Sequence, residues 1–250
     1  MYRTPRLLSV LCLFLVLSSL PAYCSADTVL IPITEKLQAS SLSGIGTPGY
    51  GSSIPERRPN ALKGPEELAL AGLLLMPLDH SLAKAIVPAG PDKKMDGATE
   101  AANSLGTPQV LVPALAAMYF LGKKGDKDTA NMAVSALASA AIMTQGMKYM
   151  TGRARPNMPN AGDFTGPHGG AGYSSFPSGH TAAAFAVATV LANRRPDQKW
   201  LYYGLATAVG VARVRKSAHF PSDVLVGAAV GMYAGNRAFQ GGPGLLSFRF

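Results

Sequence analysis

Apolar residues along this chain gather in runs separated by short polar or charged breaks. After residue 65 six such runs stand out, centred on 66–76, 108–121, 129–150, 180–193, 199–213 and 222–238. They are rich in Ala, Leu, Val and Met, and their small residues recur at helical spacings. No stretch of useful length alternates strictly between apolar and polar, and no long internal repeat is visible. The pattern predicts an all-α domain over residues 65–240, a bundle with a six-helix core. Pro65, Glu66 and Glu67 mark its first helix start, because proline suits a first turn and acids there meet the positive end of the helix dipole. The charged stretch 122–128 predicts a turn between the second and third helices. Arg194, Arg195, Pro196 and Asp197 predict another between the fourth and fifth.

Run length bears on whether these helices cross a bilayer. A span needs about 20 apolar residues, and most of these runs reach about 13 or 14 before a charge or a turn. The longest is interrupted by Asn131, Ser135, Ser139, Thr144 and Gln145. Mutually buried helices of a globular bundle fit this pattern better than a set of membrane spans. Composition is intermediate, with 48% hydrophobic and 15% charged residues and a mean hydropathy of +0.16.

The N-terminal segment has a different character. Arg3 and Arg6 precede an apolar run over 7–20, and Cys24, Ser25 and Ala26 resemble a cleavage site. Residues 1–26 therefore read as a signal peptide, which implies an exported, periplasmic or membrane-associated protein. Cys12 and Cys24 both lie in this segment, so the mature chain would hold no disulfide and no thiolate metal site. Residues 27–64, rich in Ser, Gly and Pro, read as a flexible linker. Residues 241–250 form a tail in which Leu246, Phe248 and Phe250 alternate like a short docking strand. The net charge of +9 becomes +7 without the leader, which carries two arginines and no acid. That balance suits phosphate-bearing partners: nucleic acid, anionic lipid or phosphate esters.

Candidate chemistry sits at the ends of the apolar runs, in three clusters. The first is Lys148, then six residues, then Arg155 and Pro156. The second is Pro177, Ser178, Gly179 and His180. The third is Arg213, five residues, His219, three residues and Asp223. Each has a plain structural explanation when taken alone. Lys148 and Arg213 can close helices, Arg155 can belong to a solvated loop, and Ser178 and Asp223 can cap. Together they have the parts for phosphoryl transfer. Three fixed cations can neutralise and align a phosphate, and Gly179 at a helix start lets backbone N–H groups approach an anion. Of two histidines, one can attack phosphorus and the other can protonate the leaving oxygen. Asp223 can hold an imidazole in one tautomer.

The same clusters resemble the tripartite signature of the type 2 phosphatidic acid phosphatase and vanadium haloperoxidase superfamily. The text around Lys148, around 176–181 and around 219–225 is similar to the bacterial phosphatase branch. The resemblance implies phosphate binding by Lys148, Arg155, Ser178, Gly179 and Arg213. It also implies a nucleophilic His219 that forms a phosphohistidine, Asp223 orienting it, and His180 as acid and then base. No cofactor and no metal are implied. The chain departs from the pattern at Ala212, where the family usually has Ser, so a supporting hydroxyl is in doubt. His80 and His168 fall outside the motifs and read as ordinary surface or loop histidines. The glycine-rich stretch 157–175 is either a wall of the site or a loose connector.

The resemblance implies a phosphatase acting on a phosphorylated lipid or a small phosphate ester, with contact at a membrane surface. A vanadate-dependent haloperoxidase and a non-enzymatic helical protein that binds anionic lipid are the alternatives. Nucleic acid is excluded as a partner, since the cations form no basic tract interleaved with aromatic residues.

Overall fold

The structure is a computed structural model that describes residues 64–87, 93–167 and 169–241. The expected signal peptide, nearly all of the linker, His168 and residues 242–250 of the tail lie outside the described residues. Within them the chain forms eight α-helical segments: α1 Pro65–Leu75, α2 Asp79–Ile86, α3 Lys93–Leu105, α4 Pro108–Leu121, α5 Lys124–Thr151, α6 Gly179–Arg194, α7 Lys199–Arg215 and α8 Pro221–Phe239. A 3-10 turn over Met76–Leu78 joins α1 and α2. The only bridge between extended backbones among the described residues pairs Arg153 with Phe164.

The six predicted helices are present as α1 and α4–α8. Two more were not predicted. Helix α2 continues from α1 past Pro77, and α3 is a largely polar segment with few large apolar residues, held by side chains of α7. Arg215 Nε donates to Thr99 Oγ1 at 3.0 Å, Arg213 Nη1 donates to Asn103 Oδ1 at 2.7 Å, and Lys216, just beyond α7, pairs with Glu100. The expected turn over 122–128 is also shorter than predicted. Helix α5 begins at Lys124, and the Asp126 carboxylate accepts the Lys123 N–H at 3.2 Å, which closes the first turn.

Helices α6 and α8 form the centre, and small residues let them approach closely. Gly227, Gly231 and Gly235 recur every fourth residue on α8 and face α6. A Cβ at Gly227 would lie 2.5 Å from the Ser178 carbonyl oxygen, and one at Gly231 2.4 Å from that of Ala182. Gly72 plays the same part for α1, since a Cβ there would meet Val226 Cγ2 at 2.8 Å. Around this contact Ala130, Ala133, Ala136 and Ala140 of α5 and Ala206 and Val209 of α7 are buried.

The outer faces differ from the globular expectation. Helix α1 buries only Ala69 and Gly72, and α4 only Leu115. Leu74, Val112, Phe120 (75% exposed), Leu121 (86%) and Trp200 (73%) point outward. Mutual burial therefore describes α6 and α8 but not α1 or α4, whose apolar sequences have few neighbours to pack against. The 22-residue rod Pro65–Ile86 is long and apolar enough to cross a membrane by length and composition.

Candidate active site

Helix α5 ends one turn beyond Lys148. Gly152 takes the left-handed conformation (φ 53°), and its N–H returns to the Lys148 carbonyl at 3.0 Å. The loop that follows is knitted by backbone bonds. Ala154 N–H donates to Asp163 O at 2.8 Å, Arg155 N–H to Gly172 O at 2.9 Å, and Ser175 N–H to Arg153 O at 3.0 Å. The described residues of the stretch 157–175 are thus a built wall rather than a loose connector. It aims two cations: Lys148 Nζ donates to Ser174 O at 2.6 Å, and Arg155 Nη2 donates to Ser174 Oγ at 3.0 Å.

Helix α6 starts beneath them. A Cβ on Gly179 would lie 3.7 Å from Lys148 Cε, so the lysine stem crosses the first turn of α6. The first N–H groups of that turn have no partner within the helix. Ser178 sits at the N-cap position but does not cap with its side chain. It is fully buried, its Oγ is 2.9 Å from Thr181 Oγ1, and its N–H donates to the Asp223 carbonyl at 2.9 Å. Arg213 arrives from α7. The Nε atoms of Arg155 and Arg213, like that of Arg153, are buried and have no acceptor in the protein. Beside Lys148 and His180, the donors on Arg155 and Arg213 are available to water or to an anion.

The electrostatics show that these groups converge. Burial first, then Arg155, lowers the Lys148 ammonium to about 8. Burial likewise lowers Arg155 and Arg213. His180 is held at about 4 by burial and by Arg213, Lys148 and Arg155. Three cations and a neutral imidazole therefore share one small volume with unpaired donors.

His219 lies deeper, 2% exposed, just before α8. Its Nδ1 is 2.7 Å from the Ser175 carbonyl oxygen. A carbonyl only accepts, so Nδ1 carries the hydrogen and Nε2 keeps its lone pair. The expected short bond to Asp223 is absent: Asp223 Oδ2 is 3.7 Å from Nδ1. The backbone carbonyl fixes the tautomer, and Asp223 stands behind it as a charge. Burial lowers His219 to about 4, and the nearby carboxylate opposes this only in part. Burial works to raise the Asp223 carboxyl, but Arg153, at 2.6 Å, and Ser175 Oγ, at 2.5 Å, hold it well below the usual carboxylate range. Asp223 Oδ2 also accepts the Phe220 N–H at 2.8 Å, so it caps α8 as well.

The structure brings Lys148, Arg155, Gly179, His180 and Arg213 to one site, with His219, Ser178 and Asp223 beneath. The motifs did not point to Ser175, Arg153, Asp79 and Asn103. One signal for Asp79 was legible, an acid after a long apolar run, which is rarely buried without a partner. His80 is exposed, with its ring centre 5.1 Å from that of Phe220 in an edge-on arrangement. Ala212 is buried in α7 beside Arg213.

Comparison with known proteins agrees with this geometry. Residues 129–243 match the model of the PAP2 superfamily. A Porphyromonas gingivalis protein named lipid A 1-phosphatase is 29% identical over 241 residues, covering 92% of this chain and 50% of that protein. The chain thus spans half the length of that curated relative. Aquifex aeolicus LpxE superposes with a TM-score of 0.55 at 27% identity, over 65% of this chain and 95% of the other. A transmembrane PAP2-type phosphatidylglycerolphosphate phosphatase from Bacillus subtilis shares the fold, with a TM-score of 0.51 at 23% identity over 70% and 93% of the two chains. Residues 129–243, where the three motif clusters gather into one site on this fold, match the PAP2 superfamily.

Proposed function

We propose that the chain is a phosphatase that removes phosphate from a phosphorylated lipid through a phosphohistidine at His219, without a metal. The observation that carries this reading is the pair of buried Nε donors on Arg155 and Arg213, which lack acceptors and lie close to Lys148 and His180. Those cations and the first-turn N–H groups of α6 hold the phosphate oxygens. Gly179 permits the close approach, and the Ser178–Thr181 hydroxyl pair beneath has a hydrogen left to donate. Nε2 of His219 attacks phosphorus as the bond to the leaving oxygen breaks, and His180 gives that oxygen a proton. His180 then takes a proton from water. The resulting hydroxide displaces His219, breaking the P–N bond and freeing phosphate.

The charge state of His180 follows from burial first and then from the same cations, which together keep it neutral in the empty site. A bound phosphate dianion cancels the cations' field and adds an opposite charge beside the ring, so His180 gains its proton as substrate arrives. In support of the metal-free reading, Asp79 and Asp223 are already engaged by Arg153, serines and N–H groups. Among the described residues no three His, Cys, Asp or Glu side chains gather as a metal site would need. The relatives named for lipid phosphates, the exposed apolar faces of α1 and α4 and the basic charge support a lipid substrate at a membrane surface. The sequence over 1–26, which reads as a leader, supports export.

The test is phosphate release from a lipid phosphate and from a soluble aryl phosphate, each with EDTA. Activity should survive chelation and favour the lipid. Loss on chelation would overturn the metal-free step. Wild-type rates in His219→Ala, or no base-stable, acid-labile phosphoenzyme after a rapid quench, would overturn the nucleophile.

A further inference from the structure

Two charges buried beside the site have no part in the chemistry above. Arg153 is 3% exposed, and Asp79 is fully buried. Arg153 Nη1 donates to Asp223 Oδ1 at 2.6 Å and to Ser222 Oγ at 2.8 Å, while Nη2 donates to Asp79 Oδ2 at 2.7 Å. Asp79 also accepts the Ser222 N–H at 2.9 Å and the Ser222 hydroxyl. The guanidinium lies 4.5 Å from the centre of the Phe220 ring and 5.1 Å from that of Phe164. One arginine is thus clamped between two carboxylates and two rings.

Such a triad is a poor device for stability alone, because three charges lose their water. Its arithmetic points to the reaction. Arg153 by itself would cancel Asp223, and a cancelled carboxylate gives nothing to a developing imidazolium. Asp79 supplies the second negative charge. One arginine and two carboxylates leave one negative unit, which matches the positive charge His219 acquires when Nε2 bonds to phosphorus.

We propose that Asp79 and Arg153 are positioning residues of the reaction: Arg153 fixes the Asp223 carboxylate behind His219, and Asp79 keeps that carboxylate's charge available to the attacking ring. This rests on His219 as the nucleophile. The other charges that face His219 are Lys148 from α5 and Arg213 from α7, with His180 of α6 and Arg155 of the loop beyond them. None of these changes in the variants below.

The experiment measures kcat and kcat/KM against pH for the full chain and four variants, with a fifth in reserve. Asp79→Asn makes the cluster more positive, so His219 is harder to protonate. The acid limb of kcat/KM should move down by about one pH unit, and kcat should fall about tenfold with KM within about twofold. Arg153→Gln makes the cluster more negative, so the limb should move up. The double variant restores the net charge, so its limb should return toward the wild-type position although both single changes remain. Misfolding alone would not give opposite shifts and a compensated double variant. Should Asp79→Asn fail to fold, Asp79→Glu carries the test, because it keeps the charge and displaces it. A lowered kcat with the limb in place supports the proposal, and an unchanged kcat overturns it. His219→Ala separates the two readings. If it stays active, the nucleophile assignment fails and this inference with it. If it is dead while both single variants keep the wild-type limb or shift it the same way, this inference alone is wrong.

Discussion

Adding one methyl group at Gly231 measures how much of the site depends on the approach of α8 to α6. The new Cβ would lie 2.4 Å from the Ala182 carbonyl oxygen, 2.8 Å from Phe185 Cβ and 2.9 Å from the Ala186 nitrogen. Two of these are backbone atoms and the third is fixed to the backbone, so no rotamer relieves the clash. Ordinary contact begins near 3.4 Å, so the helices must part by about 1 Å locally. Overpacking of this kind costs about 1–3 kcal/mol, while alanine regains about 1 kcal/mol of helix propensity. The balance is a loss of about 0–2 kcal/mol, or a Tm lower by up to about 6 °C for a domain of this size. The same movement reaches the chemistry, because α6 begins at Gly179 and His180, and α8 carries Asp223 in its first turn. A misplacement of about 1 Å at a reacting centre costs on the order of a hundredfold. Gly231 lies two turns from Asp223, so a fall of about tenfold in kcat/KM is expected. The control is Gly146→Ala in α5, where a Cβ meets nothing within 4 Å. It should gain about 0.5–1 kcal/mol and keep its activity. Thermal unfolding and phosphate release, measured on both variants, decide the matter. A Gly231→Ala protein as stable and as active as Gly146→Ala would refute the close-packing argument.

Three further outcomes follow from the site. Lys148 is held at about 8 and is charged below that value, so kcat/KM should fall as pH rises through about 8. Lys148→Arg should move that alkaline limb upward, and a limb left in place would assign it to another group. Inorganic phosphate should raise the Tm, with about 2.7 kcal/mol of stabilisation at a hundred times its Kd; Arg155→Ala and Arg213→Ala should each erase most of the shift in a thermal scan, and an undiminished shift would place the anion elsewhere. Ala212→Ser restores the usual family residue at a buried position and should change kcat modestly, so a hundredfold gain would show that the missing hydroxyl limits the natural enzyme.

What could be read in advance depended on whether a residue's partner lay nearby in sequence. The six long apolar runs could be read because each helix carries its own periodicity. Helix α3 could not, because side chains of α7 more than a hundred residues away hold its polar face. The clusters around Lys148, His180 and His219 were legible as chemistry only together, because their order and spacings resemble a known signature while each alone could be a helix end or a cap. The tautomer of His219 was not. A carboxylate four residues on was the natural candidate, yet the close acceptor is the backbone carbonyl of Ser175, and any residue at 175 supplies a carbonyl. Arg153 stood in plain view next to Arg155, but nothing local separates an arginine that faces phosphate from one that faces two buried acids. The outward apolar surface of α1 and α4 was hidden for a related reason: periodicity tells which residues are apolar, not how many neighbours arrive to cover them.

Asp79 lies fifty residues before the stretch that defines the family, and its carboxylate is inseparable from that stretch. The region 129–243 is therefore not a transplantable cassette. A chimaera that joins it to the leading helices of another relative would bring Arg153, Ser222 and Asp223 to a surface cut for Asp79 and Gly72. Such a graft could inherit every motif residue and still assemble a mute enzyme. Rescue would then come from restoring one acid and one glycine in helices that carry none of the signature.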